Sequence, residues 1–370
     1  MTIHRERPIA SPVSPDYTFQ HTYNRFERNT QEGDALPLLV LSKPVEVGGQ
    51  VIKKGVIYMG DYIVDDFVSL HPDCKEKWFI VSTTQSHVIP TSIHPDLHLY
   101  TTQDGKPSPE YRSSAAGHIP DLLLGCGHYV DTDVFAPNPE SGKYFDLIYV
   151  SKWAPTKRIE LITEAAAAAP HLRFAILGFP VVSDRKRAAS EAYRQVLLDS
   201  IRDKHLTNIT IIEHHEEKHI NPDGTEVVGG FTKAEMKEFY NRAGCTVLTA
   251  NENEAINRAL VEALCCDLPI MLTEDTLGGA QTLIQPETGI FIQPTGASIV
   301  AGLQQLQLRR DTLSPRDWYI QRFGTANANA ALRNSIDLAA AVANIPVATE
   351  HMKPYAGDLW GKDYYEHFAH

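Results

Sequence analysis

From Phe145 onward, short apolar runs alternate with helical segments, and this alternation restricts the chain to a small set of folds. FDLIYVS (145–151), RFAILG (173–178), NITIIE (208–213), TVLTA (246–250), PIMLT (269–273) and GIFIQP (289–294) read as strands. Between them lie KRIELITEAAAAA (157–169), a long polar stretch over about 184–205, TKAEMKEFYNRA (232–243) and ALVEALCC (259–266), all with helical patterns. Further helices are predicted across 296–345. Thr156 is placed to N-cap the first helix, and Pro170 ends it. Strands separated by helices of 10–15 residues imply a parallel sheet covered on both faces. In such sheets ligands sit at the carboxyl ends of the strands, beside helix N-termini.

The chain before this point is different. LPLLVLS (36–42), VIKKGVIYM (51–59), WFIVS (78–82) and LHLYT (97–101) have strand-like content, and GDYIVDDFVSLH (60–71) is its best helix. APNPESGK (136–143) reads as a linker. A length of 370 residues suits two domains of about 100–200 residues each. The expected division is a polar arm at 1–35, a reduced αβ domain at 36–140 and a larger αβ domain at 141–345. An aromatic tail at 346–370 is expected to pack back across the domains or at a subunit interface, as in a homo-oligomer.

Composition removes several functions. Thirty-four Lys and Arg stand against 46 Asp and Glu, a net charge of −12, and no basic run is visible. Nucleic acid is therefore not an expected partner. No apolar stretch reaches 18 residues, so no transmembrane helix is expected, and the first thirty residues lack the apolar block of a signal peptide. The five Cys show no CxxC spacing, which fits a reduced, cytoplasmic setting better than a disulfide framework.

Two segments at strand ends carry chemistry. In Ser151-Lys152-Trp153-Ala154-Pro155-Thr156-Lys157-Arg158, two lysines straddle a strand-to-helix turn, where they can converge on one anion. The alternative is that Lys152 is a solvated loop residue and Lys157 a surface residue of the first turn. In the second segment, Asn251 to Ala263, Glu254 falls in the loop after TVLTA and Glu262 inside an apolar helix. A loop carboxylate there can accept hydrogen bonds from sugar hydroxyls and from orphan backbone N–H groups. Glu262 needs a partner if buried, and Arg258 at i−4 is one alternative to a ligand.

Together these segments resemble the nucleotide-sugar-binding half of the retaining glycosyltransferases of the GT-B fold, family 4. CGHYVDTDVFAP (126–137) is similar to that family's Pro-Asn-Gly-Val-Asp…Phe-x-Pro segment, and IYVSKWAPTKRIELITEAAA to its Gly-Arg…Lys-Gly strand-turn-helix. ENEAINRALVEALCCDLPIML resembles its Glu-x7-Glu element, and TLGGAQTLIQPETGIFIQP its Gly-Gly…Thr-Gly close. The resemblance spans about Cys126 to Pro294 and implies two Rossmann-like domains with a cleft between them. It implies transfer of a hexosyl unit from a nucleoside-diphosphate sugar, with a UDP-sugar as the first expectation, to an acceptor hydroxyl on a glycan, a lipid-linked acceptor or a small molecule. No metal or other cofactor is implied.

Carried over by position, the resemblance assigns the catalytic roles to Glu254, Lys157 and Lys152. The lysines would hold the donor diphosphate and Glu254 the sugar hydroxyls. Ala255, Ile256 and Asn257 would offer backbone N–H groups, Glu262 would bind the ribose, and Ser151 would lie beside the donor. Three departures stand out. Ser151-Lys152 replaces Gly-Arg, Ala255-Ile256-Asn257 replaces Gly-Phe-Gly, and Thr282 stands where Glu is frequent.

On the acceptor side, Gly48 and Gly49 resemble the family's first Gly-rich loop or else form a tight turn between strands. His87 is the acceptor-side histidine candidate or an ordinary loop residue. Two other readings stay open. One is a non-catalytic relative that acts as a binding or scaffold subunit. The other is a zinc hydrolase using His215, Glu216 and His219 of HEEKH. A zinc site of that type needs both histidines on one helix face, whereas a β-run precedes this segment and Asn221-Pro222-Asp223-Gly224 cuts it off. A loop or hairpin is the expectation.

Overall fold

In the computed structural model the residues described are 38–86, 94–102, 126–179, 184–213, 218–220, 226–228, 231–251, 254 and 256–354. The polar arm, His87, Ala255 and the aromatic tail from 355 lie outside them. The chain divides into two units, one made of residues 1–129 with 325–370 and the other of residues 130–324.

The first unit is built on strands β1 (Leu38–Ser42), β4 (Gly55–Gly60), β5 (Trp78–Ser86) and β6 (Leu97–Thr102) in the order β1-β4-β5-β6. β1 runs antiparallel to β4, and the other pairs are parallel. The expected strand 51–59 is two strands. β3 (Gln50–Lys53) turns back on β2 (Val45–Val47) as a separate hairpin, and the sheet proper begins at Gly55. A Cβ at Gly55 would meet the Ser42 carbonyl, the Pro44 nitrogen and the Trp78 ring within 2.7 Å, so only glycine lets the backbone enter there. Gly48 and Gly49 are the hairpin's two turn residues, both with positive φ (61° and 81°) and with open space around them.

Alternation along the strands gives this sheet two apolar faces. Leu38, Val40, Ile57, Met59 and Ile80 face helix α1 (Asp61–Leu70) through Val64 and Phe67. Helix α2 (Cys74–Lys77) adds Cys74 to the same cluster. Leu41, Val56, Tyr58, Phe79, Val81 and Leu97 form the opposite face, packed on Ala328, Leu332, Ile336 and Ala339. These four belong to the last long helix, Thr325–Ala343, so the expected boundary at 345 is corrected to 324/325. Residues 346–354 follow it: the Lys54 N–H donates to the Pro346 carbonyl, and the Lys353 N–H to that of Leu41.

The second unit contains β7 (Phe145–Lys152), β8 (Phe174–Phe179), β9 (Ile209–Glu213), β12 (Ala243–Leu248), β13 (Ile270–Thr273) and β14 (Gly289–Ile292). They form an all-parallel sheet in the order β14-β13-β12-β7-β8-β9. Between the strands run helices α3 (Glu160–Ala168), α4 (Asp184–Asp203), α5 (Lys233–Asn241) and α6 (Arg258–Cys265), and α7 (Gly296–Leu308) and α8 (Pro315–Arg322) follow the last strand; Thr325–Ala343 is α9. Thr232 and Glu235 close a reciprocal capping box at the start of α5. Leu147, Tyr149, Ile162, Ile176, Val247, Met271 and Ile299 share one buried core.

The expected linker at 136–143 is part of this unit. The Asn241 side-chain amide donates to the Ala136 carbonyl, its Oδ1 accepts from the Asn138 N–H at 2.6 Å, and Lys143 Nζ donates to the Asn241 carbonyl. The lower boundary therefore falls at 129/130 rather than 140/141. The HEEKH region ends in a hairpin, β10 (Lys218–Ile220) with β11 (Glu226–Val228). His219 sits in the middle of a strand, so the helix that zinc would require is not formed there; His215 and Glu216 lie outside the described residues.

Because α9 supplies one side of the first unit's core, Leu332→Ala should lower its stability by about 2–4 kcal/mol. Urea unfolding, with amide exchange read on β4 and β5, checks this. Unchanged protection in those strands would mean that the helix is dispensable to the sheet.

Candidate functional site

In the second sheet the strand order reverses between β7 and β12. The crossover from β7 leads to one side of the sheet and that from β12 to the other, so the loops leaving the two adjacent strand ends diverge. A crevice opens at such a point, and backbone N–H groups and helix starts line it. Both sequence-predicted segments fall here, one on each side of the reversal.

The turn after β7 is longer than the sequence suggests. Pro155–Lys157 form a 3₁₀ turn, and Arg158 adopts a left-handed backbone with φ 49°. The α-helix proper begins at Glu160, so Thr156 is not its N-cap. Hydrogen bonds explain the delay. The Lys157 carbonyl, which helix would require to point along the axis, instead accepts the hydroxyls of Tyr149 and Thr249, both at 2.6 Å. Burial of the Tyr149 phenol pushes its pKa up to about 12, keeping it a donor. The Asn251 N–H donates to the Thr156 carbonyl at 3.0 Å, tying the β12 loop to this turn.

A left-handed backbone costs a non-glycine residue roughly 1–2 kcal/mol. Arg158 offsets it through its side chain. Nε donates to the Thr249 carbonyl, and the two terminal nitrogens grip Asp275 at 2.6 and 2.8 Å. One of them also donates to Thr273 Oγ1 at 2.9 Å. The Asp275 carboxyl is held below its ordinary pKa by this guanidinium. Sequence reasoning passed over Arg158, Asp275, Thr273, Thr249 and Tyr149. The available signal was Arg158 standing where the resembled pattern has glycine.

With its backbone so fixed, Lys157 carries its ammonium to the Glu254 carboxylate, and the two form a hydrogen-bonded ion pair. The side chains are only 18% and 12% exposed, so the pair is less screened than a surface bridge. Glu254 is clamped through its own backbone: its N–H donates to the Leu277 carbonyl and its carbonyl accepts from Ala280. Its second carboxylate oxygen accepts from Asn257 Nδ2 at 3.1 Å. Asn257 is also the N-cap of α6, its Oδ1 accepting the Leu260 N–H at 3.2 Å. Ile256 is buried beside it.

Glu262 lies one turn inside α6 and is 7% exposed. Arg258 Nε donates to one of its oxygens at 2.9 Å and the Tyr240 hydroxyl to the other at 3.3 Å. The arginine pairing anticipated as an alternative is thus present. Burial raises the Glu262 pKa, with Arg258 and Tyr240 opposing the shift, and it raises that of Tyr240 well above its ordinary value. Lys152 is exposed at the end of β7, at the same strand end as the Lys157 turn. Ser151 is buried and donates its hydroxyl to the Lys152 carbonyl at 3.0 Å. Gly48 and Gly49 belong to the other unit.

Residues 130–313 match the family described as glycosyl transferases group 1. They form a group 1 glycosyltransferase domain. The solved structures similar to this chain include sucrose-phosphate synthase from Thermosynechococcus elongatus, at a TM-score of 0.56 and 14% identity over 91% of this chain and 82% of that one. Anabaena HepE in complex with UDP follows at 0.55 and 14% identity, covering 76% and 78%. A glycosyltransferase from Rickettsia africae matches at 0.54 and 11%, covering 90% and 83%. The chain has a GT-B type fold. No curated protein sequence matches it. Among the described residues no helix is long and apolar enough to cross a membrane.

The Glu262 environment sets a pH dependence. A carboxyl with a raised folded pKa binds its proton more tightly in the folded protein than in the unfolded chain, so wild-type stability falls as pH rises through that range. Glu262→Gln should therefore gain stability relative to wild type between about pH 4 and about pH 7. Urea denaturation at both values measures it; a difference that stays flat with pH would show that the carboxyl ionises without penalty.

Proposed function

We propose that this glycosyltransferase is a retaining hexosyltransferase of family 4 that acts in the cytoplasm on a nucleoside-diphosphate sugar, a UDP-sugar being the first candidate, and an acceptor hydroxyl. The observation that carries the proposal is the Lys157–Glu254 pair, held at the carboxyl ends of β7 and β12 where the strand order reverses. A nucleotide sugar presents a negative diphosphate beside a polyhydroxylated ring. A cation and a carboxylate side by side at one strand end match both parts. HepE complexes that contain UDP and UDP-glucose share the fold, which supports this choice of donor.

The chemistry follows from charge. As the bond from C1 to the leaving phosphate oxygen breaks, negative charge grows on the diphosphate and positive charge on the sugar. Lys157 and Lys152 stabilise the first from fixed positions, which lowers the barrier because the cations need not reorganise. Glu254 orients the sugar through its hydroxyls. Its tie to Asn257 persists when the donor phosphate draws Lys157 away. The acceptor oxygen bonds to C1 on the face the phosphate leaves, and its proton passes to the departing phosphate oxygen, so atoms and charge balance. Glu262 accepts from the ribose hydroxyls in exchange for part of its bonding to Arg258 and Tyr240. The lysines supply the positive charge that a metal gives in other transferases.

Calorimetric titration with UDP, GDP and ADP, each with and without EDTA, is the test. One diphosphate is expected to bind at micromolar level, unaffected by EDTA and at least about tenfold more weakly in Glu262→Ala, a loss in the range for one charge-assisted hydrogen bond. Lys157→Ala should lower turnover of the matching nucleotide sugar more than it lowers ground-state affinity. No binding of any diphosphate would reject the donor site and put the non-catalytic reading ahead.

A further inference from the structure

We infer that Arg158 is the positioning residue that aims Lys157 at Glu254, by tying the turn that carries Lys157 to the ends of two neighbouring strands. The functional consequence rests on the donor-site reading of Lys157 and Glu254; the positioning itself can be tested without any donor.

Three observations converge. First, residue 158 takes a left-handed backbone, the conformation that glycine adopts freely and that an L side chain resists. Second, the Arg158 side chain reaches across the ends of two neighbouring strands. It is bound to the Thr249 carbonyl just beyond β12, and to Thr273 and Asp275 at the end of β13. A planar guanidinium suits this task because its donors leave in fixed directions and can hold a carboxylate in two places at once. Third, the residue before it is gripped as well, since the Lys157 carbonyl accepts from Tyr149 and Thr249.

The left-handed step at 158 separates the 3₁₀ turn at 155–157 from the helix that starts at 160. If residue 158 continued in right-handed helix, the Lys157 carbonyl would be directed along the helix axis, away from Tyr149 and Thr249. The Lys157 side chain would then rotate about the axis with it. Arg158 thus makes the direction of one ammonium depend on the ends of β12 and β13, the strand ends that flank Glu254. No contact between Arg158 and a ligand is needed. Its effect passes through Lys157.

The first readout is the coupling between Lys157 and Glu254. The protein is reductively methylated with 13C on its lysines, and the Lys157 signal is identified by its loss in Lys157→Arg. In the wild-type background Glu254→Gln is expected to move this signal. In Arg158→Gly, which tolerates the left-handed backbone but lacks the anchor, Glu254→Gln should no longer move it, while the other lysine signals stay in place. Asp275→Asn leaves residue 158 untouched and should give an intermediate response, which covers the case in which Arg158→Gly does not fold. A Glu254→Gln shift of full size in both variants would overturn the inference.

The second readout is UDP affinity by calorimetry. Arg158→Gly should bind UDP about tenfold more weakly, the scale of loss when a charged group is misplaced by a fraction of an ångström. Arg158→Lys, which keeps a tethered cation for Asp275, should recover part of that loss, whereas Arg158→Met, of similar length and without charge, should not. Loss of UDP binding with no recovery, together with persistent coupling in the lysine signal, would reject the positioning role. If wild-type protein binds no UDP while the lysine coupling behaves as expected, the donor reading fails and the positioning stands.

Discussion

The site depends on the reversal of strand order between β7 and β12. Adjacent parallel strands whose crossovers leave on opposite sides cannot share a continuous covering layer at their carboxyl ends, so the loops there must part. Lys157 and Glu254 are attached to those two ends, one to each. The Tyr149 and Thr249 hydroxyls come from β7 and from just past β12, and they meet on one carbonyl, that of Lys157. Two hydroxyls converging on one acceptor make the turn a rigid part of the sheet rather than a loop lying over it.

Much of this was legible from residue order. Period and length separated the strands from the helices after Phe145, and the Thr232/Glu235 and Asn257 caps lie where short polar residues precede helical stretches. Lys157 and Glu254 were singled out as residues at strand ends, and the structure brings them into contact. Two things were hidden. The start of α3 could not be read, because propensity favours helix from Lys157 and the competing hydrogen bonds come from residues eight and ninety-two positions away. The destination of α9 could not be read either, since an amphipathic stripe states that a helix covers a sheet but not which sheet. Nor does the continuous β-pattern at 51–59 reveal the break at Gly55, which arises from crowding by Ser42, Pro44 and Trp78.

The charges at the site are economical. Lys157 with Glu254, and Arg158 with Asp275, are four charged side chains in two pairs at neighbouring strand ends, while Glu262 is paired separately with Arg258. The first pair is the more buried, and under the proposed function its two members are the groups that meet the diphosphate and the sugar. The second, with Asp275 largely exposed, holds backbone in place. Ligand binding can therefore exchange the partners of one pair without disturbing the other, and the scaffold need not move when the occupant changes.

The placement of α9 has a consequence for how the chain comes to be folded. The first unit takes its sheet from residues 38–102 and one of its two covering layers from residues 325–343, with the whole second unit made in between. During synthesis the apolar face formed by Leu41, Val56, Tyr58, Phe79 and Val81 does not have this helix to lie against until residues 325–343 have been made. The second unit has all its strands and helices by residue 324 and is free to collapse earlier. The sheet made before the second unit is thus completed only after it, and for that interval its apolar face lies bare.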